Sequence, residues 1–544
     1  MRYETIDDFF MYAIASGFAG GLPDEHLIYT NFILGILLKT LFSVFPSVNW
    51  YGFYLITAHI IAWAVILRVF LKYFKIATAL LMFSYLFLTF GVYFIQNLQF
   101  TTTSSILGIA GIFLLFERIK TSGFEIKKLI LPILLIIIAA LIRIHSLLLV
   151  LIILSPLFIL LLPDWKKFLK SGILIILLFG TSYSFKLLDR WYYHQDKAWA
   201  DYYDNLFESS VFNDDSAFYI AHYLNPEKPY KALGWSDNDL AIFSSFFRDY
   251  PPIFNHEAYN GLMESVNNVP YDIGKFKSNL IKFKNIHLIA CIFFLIILVP
   301  FKRFTPIIFS LLLTILSVAI IAINLNFKDR VLFPIIFCLC LQAIFILFNS
   351  NRNGEIRKFK ILPEYLQPIF PYLAIVILLI IGLNTFQNQI KKHSDSTINE
   401  KNLLKKQLKL INNPNQTYAF FGSCIKFEAE SPFATEFHTT GLPVVFPISV
   451  FNKSPLFIDE FKKLGNGEFT QMLLNEKVSL VTKTGNVYGS SPENMRLFYA
   501  EHLKCNAIIR SNNVYEDAYI RIFSLGPCIN IPNSTINNSP KKSN

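Results

Sequence analysis

Charge is what this sequence has least of. Only 16% of its 544 residues are Asp, Glu, Lys or Arg, while 53% are hydrophobic and the mean hydropathy is +0.45. An ordinary soluble domain carries about a quarter charged residues, so the whole chain does not read as a soluble enzyme. It also lacks G-x-x-x-x-G-K-[ST], G-x-S-x-G and H-E-x-x-H, which leaves ATP-driven transport, hydrolase and zinc-protease readings without a motif. Six cysteines keep no metal-ligand spacing, and Cys291, Cys338 and Cys340 sit in apolar runs where packing is the ordinary role. No repeat recurs at solenoid periods. The opening residues are acidic rather than basic-then-apolar, so they do not read as a cleavable leader.

What is abundant is aromatic and aliphatic. There are 55 phenylalanines, a load that lipid-facing and interfacial surfaces absorb. A crossing helix needs about 20 apolar residues. Runs that qualify lie at 49–71, 77–95, 102–117, 129–142, 146–162, 171–187, 283–301, 304–323, 331–349 and 366–386, about ten spans in all. Basic residues then decide their direction. Arg68, Lys72 and Lys75 follow the first run, Arg118, Lys120, Lys127 and Lys128 the third, and Lys166, Lys167 and Lys170 the fifth. Lys302 and Arg303 follow the seventh; Arg352, Arg357, Lys358 and Lys360 follow the ninth. Every second loop is basic, which marks those loops as cytoplasmic. The net charge of +11 is therefore read as loop charge facing the cytoplasm, with no nucleic-acid partner.

The expected architecture is an all-α polytopic membrane bundle with a small α/β extracytoplasmic C-terminal domain. Residues 1–48 form an outer acidic loop with interfacial helices, 49–187 a first membrane bundle, and 188–282 an outer aromatic and acidic insertion. Residues 283–387 form a second bundle, 388–530 the α/β domain and 531–544 a disordered tail. A bundle of this plan begins inside, so a further span ahead of residue 1 is expected. The stretch 26–45 would reverse every side if it crossed; it is read as an interfacial or partly inserted helix with Lys39 reaching toward headgroups. In the insertion, "SDNDLAIFSSFF" has the pattern of a capped helix start, with Ser236 as cap and Asp239 three residues on. In the tail, "TYAFFGS", "LPVVFPIS", "VSLVTK", "NAIIRS" and "YIRIFSL" read as strands, with helical patterns near 456–475 and 491–503. Cys424, Cys505 and Cys528 allow one disulfide and leave one thiol over.

A few polar residues stand out against this background. The opening "YETIDDFFMYAIASG" places Asp7 and Asp8 side by side on the outer side; they read either as a functional pair or as acids at a helix N-terminus. "LPDEHLIY" adds Asp24, Glu25 and His26, with the same two readings. The apolar run 129–163 is 35 residues long, too long for one span, with Arg143 and His145 near its centre. An arginine at mid-bilayer costs about 2.5–3.5 kcal/mol, so the run is expected to fold as a hairpin with Arg143 at the outer turn. "NLNFKDRVLFP" puts Lys328, Asp329 and Arg330 at another outer turn, for an anion or for a local salt bridge. "FIQNLQFTTTSS" is either a polar turn or the hydroxyl lining of a pocket.

An acidic pair in the first outer loop, then surface helices, then a multi-span bundle with an outer C-terminal domain resembles the GT-C class. These are integral-membrane glycosyltransferases that use polyprenyl-phosphate-linked sugars. The order "IDDFFMYAIASG…GLPDEHLIYTNFILGILLKTLFS…NWYGFYLI" also resembles a group of uncharacterised bacterial multi-spanning proteins. The resemblance implies an inverting sugar transfer at the outer face of a bacterial inner membrane, with a glycan, lipid or protein as acceptor. It implies Asp8 or Asp7 as general base, with a divalent cation (Mg or Mn) held by the pair as the alternative role. Arg143 and His145, Lys328 and Arg330, with Glu25 and His26, would bind the lipid-linked phosphate sugar. Two rivals remain: a polysaccharide polymerase or ligase that relies on outer arginines without the Asp pair, and a transporter or flippase.

Overall fold

A helix that crosses about 30 Å of hydrocarbon must be apolar for its whole length. The computed structural model describes residues 1–161, 164–214, 228–267, 312, 316, 328–352, 370–422, 424–433, 444–448, 450–484 and 489–530. Among these residues, five helices are long and apolar enough to cross a membrane: Trp50–Tyr73, Ile76–Gln96, Phe100–Ser122, Ile126–Phe158 and Trp165–Tyr193. Six of the about ten expected spans, from 49–71 to 171–187, overlap these five helices, with 129–142 and 146–162 both in Ile126–Phe158. The expected spans 283–301 and 304–323 lie outside the described residues, apart from Leu312 and Leu316. The span 331–349 falls within the helix Asp329–Arg352, and 366–386 overlaps the start of the helix Phe370–Leu410.

The long run folds back on itself. Arg143 leaves helical geometry at φ −161° and ψ 98°. Between Pro132 and Arg143 the contacts on the Phe100–Ser122 helix move from Gly111 to Ser104, whose hydroxyl donates to Ala139 O and Arg143 O. After Arg143 they return, from Gly108 beside Leu147 to Phe116, whose ring packs edge-on to Phe158 at 5.5 Å. Contacts that run up and then down the same helix mean that the chain reverses at Arg143, as the sequence predicts. At 1.5 Å per residue the two legs are each about 25 Å long.

The helix ends sort into two groups. At one end Lys72 pairs with Glu117 and reaches Thr121, while the Lys170 ammonium lies 5.9 Å from the Phe124 ring. The basic loops around Lys72, Lys120 and Lys170 therefore share that end. At the other end Asn31 N donates to Leu141 O, Asn31 Nδ2 to Phe185 O, and Phe32 N to Asp189 Oδ1. There too Asn49 Nδ2 donates to Tyr3 Oη at the start of the Trp50–Tyr73 helix. The helix Phe32–Val44 begins and finishes at this second end, so it lies across the bundle rather than through it. Its Lys39 pairs with Glu25.

The Phe100–Ser122 helix is the buried axis of the bundle. Its polar start is bonded to its own backbone. Thr102 and Thr103 hydroxyls donate to Gln99 O, and Ser105 donates to Thr101 O, so the side chains satisfy themselves on backbone.

Above the second end sits the polar part of the chain. Strand β1 (Arg2–Tyr3) pairs in parallel with β2 (Asn97–Leu98). The next helix, Ile6–Ser16, was expected at the membrane surface and is instead buried: Phe9 stacks on Phe427 at 4.6 Å and Phe10 meets Phe451 edge-on at 5.0 Å. All five expected C-terminal strands form. These are β3 (Thr417–Phe421), β4 (Val444–Ile448), β5 (Val478–Lys483), β6 (Cys505–Tyr515) and β7 (Ile520–Asn530), in the order β4-β3-β5-β7-β6. β3 is parallel to β4 and β5, while β7 is antiparallel to β5 and β6. Cys505 and Cys528 are disulfide-bonded across β6 and β7, leaving Cys424 as the buried free thiol. The insertion shares the core of this domain. Asn238 and Asn494 exchange hydrogen bonds, Tyr202 Oη donates to Val450 O, and Phe247 packs on Phe498. The expected capping box is present, with Ser236 and Asp239 bonding each other's backbone N–H. The tail 531–544 lies outside the described residues.

Candidate functional site

The two neighbouring carboxylates have separate fates. Asp8 is fully buried. Its Oδ1 accepts from Tyr51 Oη (2.9 Å) and Phe100 N (3.0 Å), and its Oδ2 from Thr5 Oγ1 (3.2 Å). It ties the first helix to two bundle helices, and burial pushes its carboxyl well above the usual carboxylate range. Asp7, one residue earlier, turns the other way. Its side chain is 24% exposed and its carboxylate lies 3.8 Å from the Arg330 guanidinium.

Arg143 joins this group. At the turn of the hairpin its guanidinium sits over two aromatic faces, Tyr29 at 5.1 Å and Phe100 at 5.4 Å. Arg330 and Asp7 are within electrostatic reach of it. Among the described residues, no carboxylate or carbonyl accepts a hydrogen bond from Arg143. Aromatic faces hold the cation in place without neutralising it.

Glu4 completes the cluster. β1 fixes it: Glu4 N donates to Leu98 O at 2.9 Å. Tyr93 Oη approaches Glu4 Oε1 at 3.5 Å, while the buried Oε2 has no hydrogen-bond partner among the described residues. Burial, opposed by the Arg330 charge, raises the Glu4 carboxyl to about 7. Sequence reasoning passed over Glu4. The available signal was its place three residues before Asp7, which puts both at the mouth of one helix start.

Three segments far apart in sequence, around residues 4–8, 143 and 330, thus meet at one end of the bundle. Lys328 lies two residues before Arg330, at the start of the same helix, and is half-buried. His145 is exposed, two residues past the turn. Glu25 and His26 are drawn into another knot. Glu25 pairs with Lys39 and accepts from Tyr192 Oη at 2.7 Å, with its carboxyl held below the usual range by these partners against burial. The His26 ring stacks on Trp199 at 3.9 Å and bonds Asp24 at 2.8 Å. Their contacts pin the Asp24–Asn31 loop to the end of the Trp165–Tyr193 helix.

The Asp7–Asp8 pair does not fit a divalent cation. Both Asp8 oxygens already face donors, and Asp7 faces a guanidinium. Two other groups bring three ligand-type atoms together, Asp24–Glu25–His26 and Asp239–Glu501–His502. In each, the histidine is already bonded to the aspartate. In comparisons with known proteins, the chain matches no family model, no curated protein and no solved structure.

Proposed function

We propose that this chain is an integral-membrane glycosyltransferase of GT-C type, moving a sugar from a polyprenyl-phosphate carrier to a glycan, lipid or protein acceptor. The observation that carries the reading is Arg143: a guanidinium at a helix-hairpin turn, held by two aromatic faces, without an acceptor of its own among the described residues. With Arg330 beside it, the site has two arginines against a partly exposed Asp7, the chemistry of a phosphate grip. In the proposed step the acceptor hydroxyl oxygen attacks the anomeric carbon and the bond from that carbon to the phosphate oxygen breaks. The hydroxyl proton passes to a carboxylate, and the released phosphate charge is held by the arginines. Of the two aspartates, Asp7 is the one with a face toward solvent, so the proton-accepting role falls to Asp7 rather than Asp8. Asp8 positions the helix that presents it.

The site end is proposed to face outward. Basic loops collect at the opposite end, where the positive-inside rule puts the cytoplasm. A disulfide between Cys505 and Cys528 suits an oxidising compartment on the side of the sheet domain. In a bacterium that side is extracytoplasmic and the membrane is the inner one.

One observation favours a polymerase or ligase as the second reading. Asp8 is committed to the fold, so half of the acidic pair is unavailable for chemistry, whereas Arg143 has no acceptor among the described residues. Transfer from lipid-linked sugars, measured on purified protein, separates the two. Glycosyltransfer requires both Asp7 and Arg143; a polymerase survives Asp7→Asn and fails with Arg143→Ala.

A further inference from the structure

We propose that the Arg143–Arg330 site binds a phosphate diester together with one proton, and that Glu4 is the residue that takes the proton up. The inference rests on the anion reading of the site but not on sugar transfer.

Three observations lead to it. Glu4 Oε2 is buried without a hydrogen-bond partner among the described residues, and an orphaned carboxylate oxygen is stable only while a nearby cation compensates it. That cation is Arg330, which Asp7 also faces. The other cation on the strand, Arg2, is engaged by Glu400. An anion arriving at Arg330 and Arg143 would compete for the same positive charge and add a negative charge of its own.

Glu4 then faces Asp8, Asp329 and the phosphate with its compensation reduced. Protonation relieves the repulsion. It also converts the orphaned acceptor into an O–H donor, able to bond a phosphate oxygen. The proton comes from solvent and stays on the carboxyl; no bond within the ligand changes. Tyr93 from the Ile76–Gln96 helix also acts on Glu4, and the strand's Arg2 and Met1 amine are faced by His393, Glu400 and Lys401 from the Phe370–Leu410 helix. The position of the Glu4 carboxyl at about 7 puts the exchange in the neutral range.

The test uses the full chain in detergent and two probes that keep one negative charge across the pH range, dimethyl phosphate and a short-chain prenyl methyl phosphate diester. Any proton exchanged on binding then belongs to the protein. Calorimetry at pH 8 in two buffers of different ionisation enthalpy should show net proton uptake approaching one per bound diester. The dissociation constant should weaken by about tenfold per pH unit above neutrality. Glu4→Gln should bind with a heat that no longer depends on the buffer and an affinity that no longer depends on pH. Glu4→Asp, a second variant should the first misfold, should keep the uptake with a displaced pH midpoint.

Uptake with the prenyl diester alone identifies a lipid-linked ligand; uptake with both identifies a general phosphate site. Either supports the proposal. It is overturned by failure of both probes to bind the wild-type protein, by buffer-independent heat in the wild type, or by uptake that persists in Glu4→Gln. Proton-linked binding in a protein that transfers no sugar would sink the glycosyltransferase reading and leave this one standing.

Discussion

Asp8 accepts hydrogen bonds from three segments, and its removal has a calculable consequence. Asp8→Ala leaves the Tyr51 hydroxyl and the Phe100 N–H buried without acceptors. Each orphaned donor costs about 1–3 kcal/mol, so the variant should lose roughly 2–6 kcal/mol. Asp8→Asn keeps the shape and one acceptor oxygen for both donors. Because burial already favours the uncharged carboxyl, losing the charge there costs little, about 1 kcal/mol in all. Thermal unfolding in detergent can be followed with a thiol-reactive dye, since Cys338 and Cys424 are buried free thiols. The alanine variant should melt lower by on the order of 5 °C, with the asparagine variant close to wild type. An alanine variant that melts like wild type would refute the assignment of Asp8 to the fold.

Other consequences can be checked alongside. Glu4 is raised from 4.5 to about 7 in the folded chain, so the folded state holds a proton that the unfolded state releases. Its contribution to stability is full below about 4.5 and is lost as pH rises toward 7, by about 3 kcal/mol, and Glu4→Gln should flatten that slope in melting curves. A Cβ on Gly52 would lie 2.2 Å from Pro432 O, so Gly52→Ala should loosen the 424–433 segment from the bundle, seen as faster amide exchange there. Reducing Cys505–Cys528, which closes a loop 23 residues apart in sequence, should cost about 3 kcal/mol of sheet-domain stability in a denaturant titration.

Much of this fold is written locally in the sequence. The 35-residue apolar run with Arg143 inside it could not be one straight span, and the chain reverses there. Ser236 and Asp239 announced a capping box, and the five apolar strand segments are the five strands. What was hidden depends on contacts distant along the chain. Asp8 is satisfied by Tyr51 and by the backbone of Phe100, and nothing near residue 8 foretells either. The helix Ile6–Ser16 carries enough apolar residues for a membrane surface, but Phe427 and Phe451 cover it instead. His26 read as a contact for the phosphate sugar, and only the fold brings Trp199 to its face. Asp7, Arg143 and Arg330 were each visible as unusual residues; their meeting depends on packing.

The most direct test of the proposed function is transfer from host lipid-linked sugars by the purified protein, run beside Asp7→Asn and Arg143→Ala. The expected result is transfer by the wild type, lost by at least about a hundredfold in both variants while their melting temperatures stay near wild type. Transfer that survives Asp7→Asn but not Arg143→Ala would contradict the carboxylate's role and turn the assignment to a polymerase or ligase.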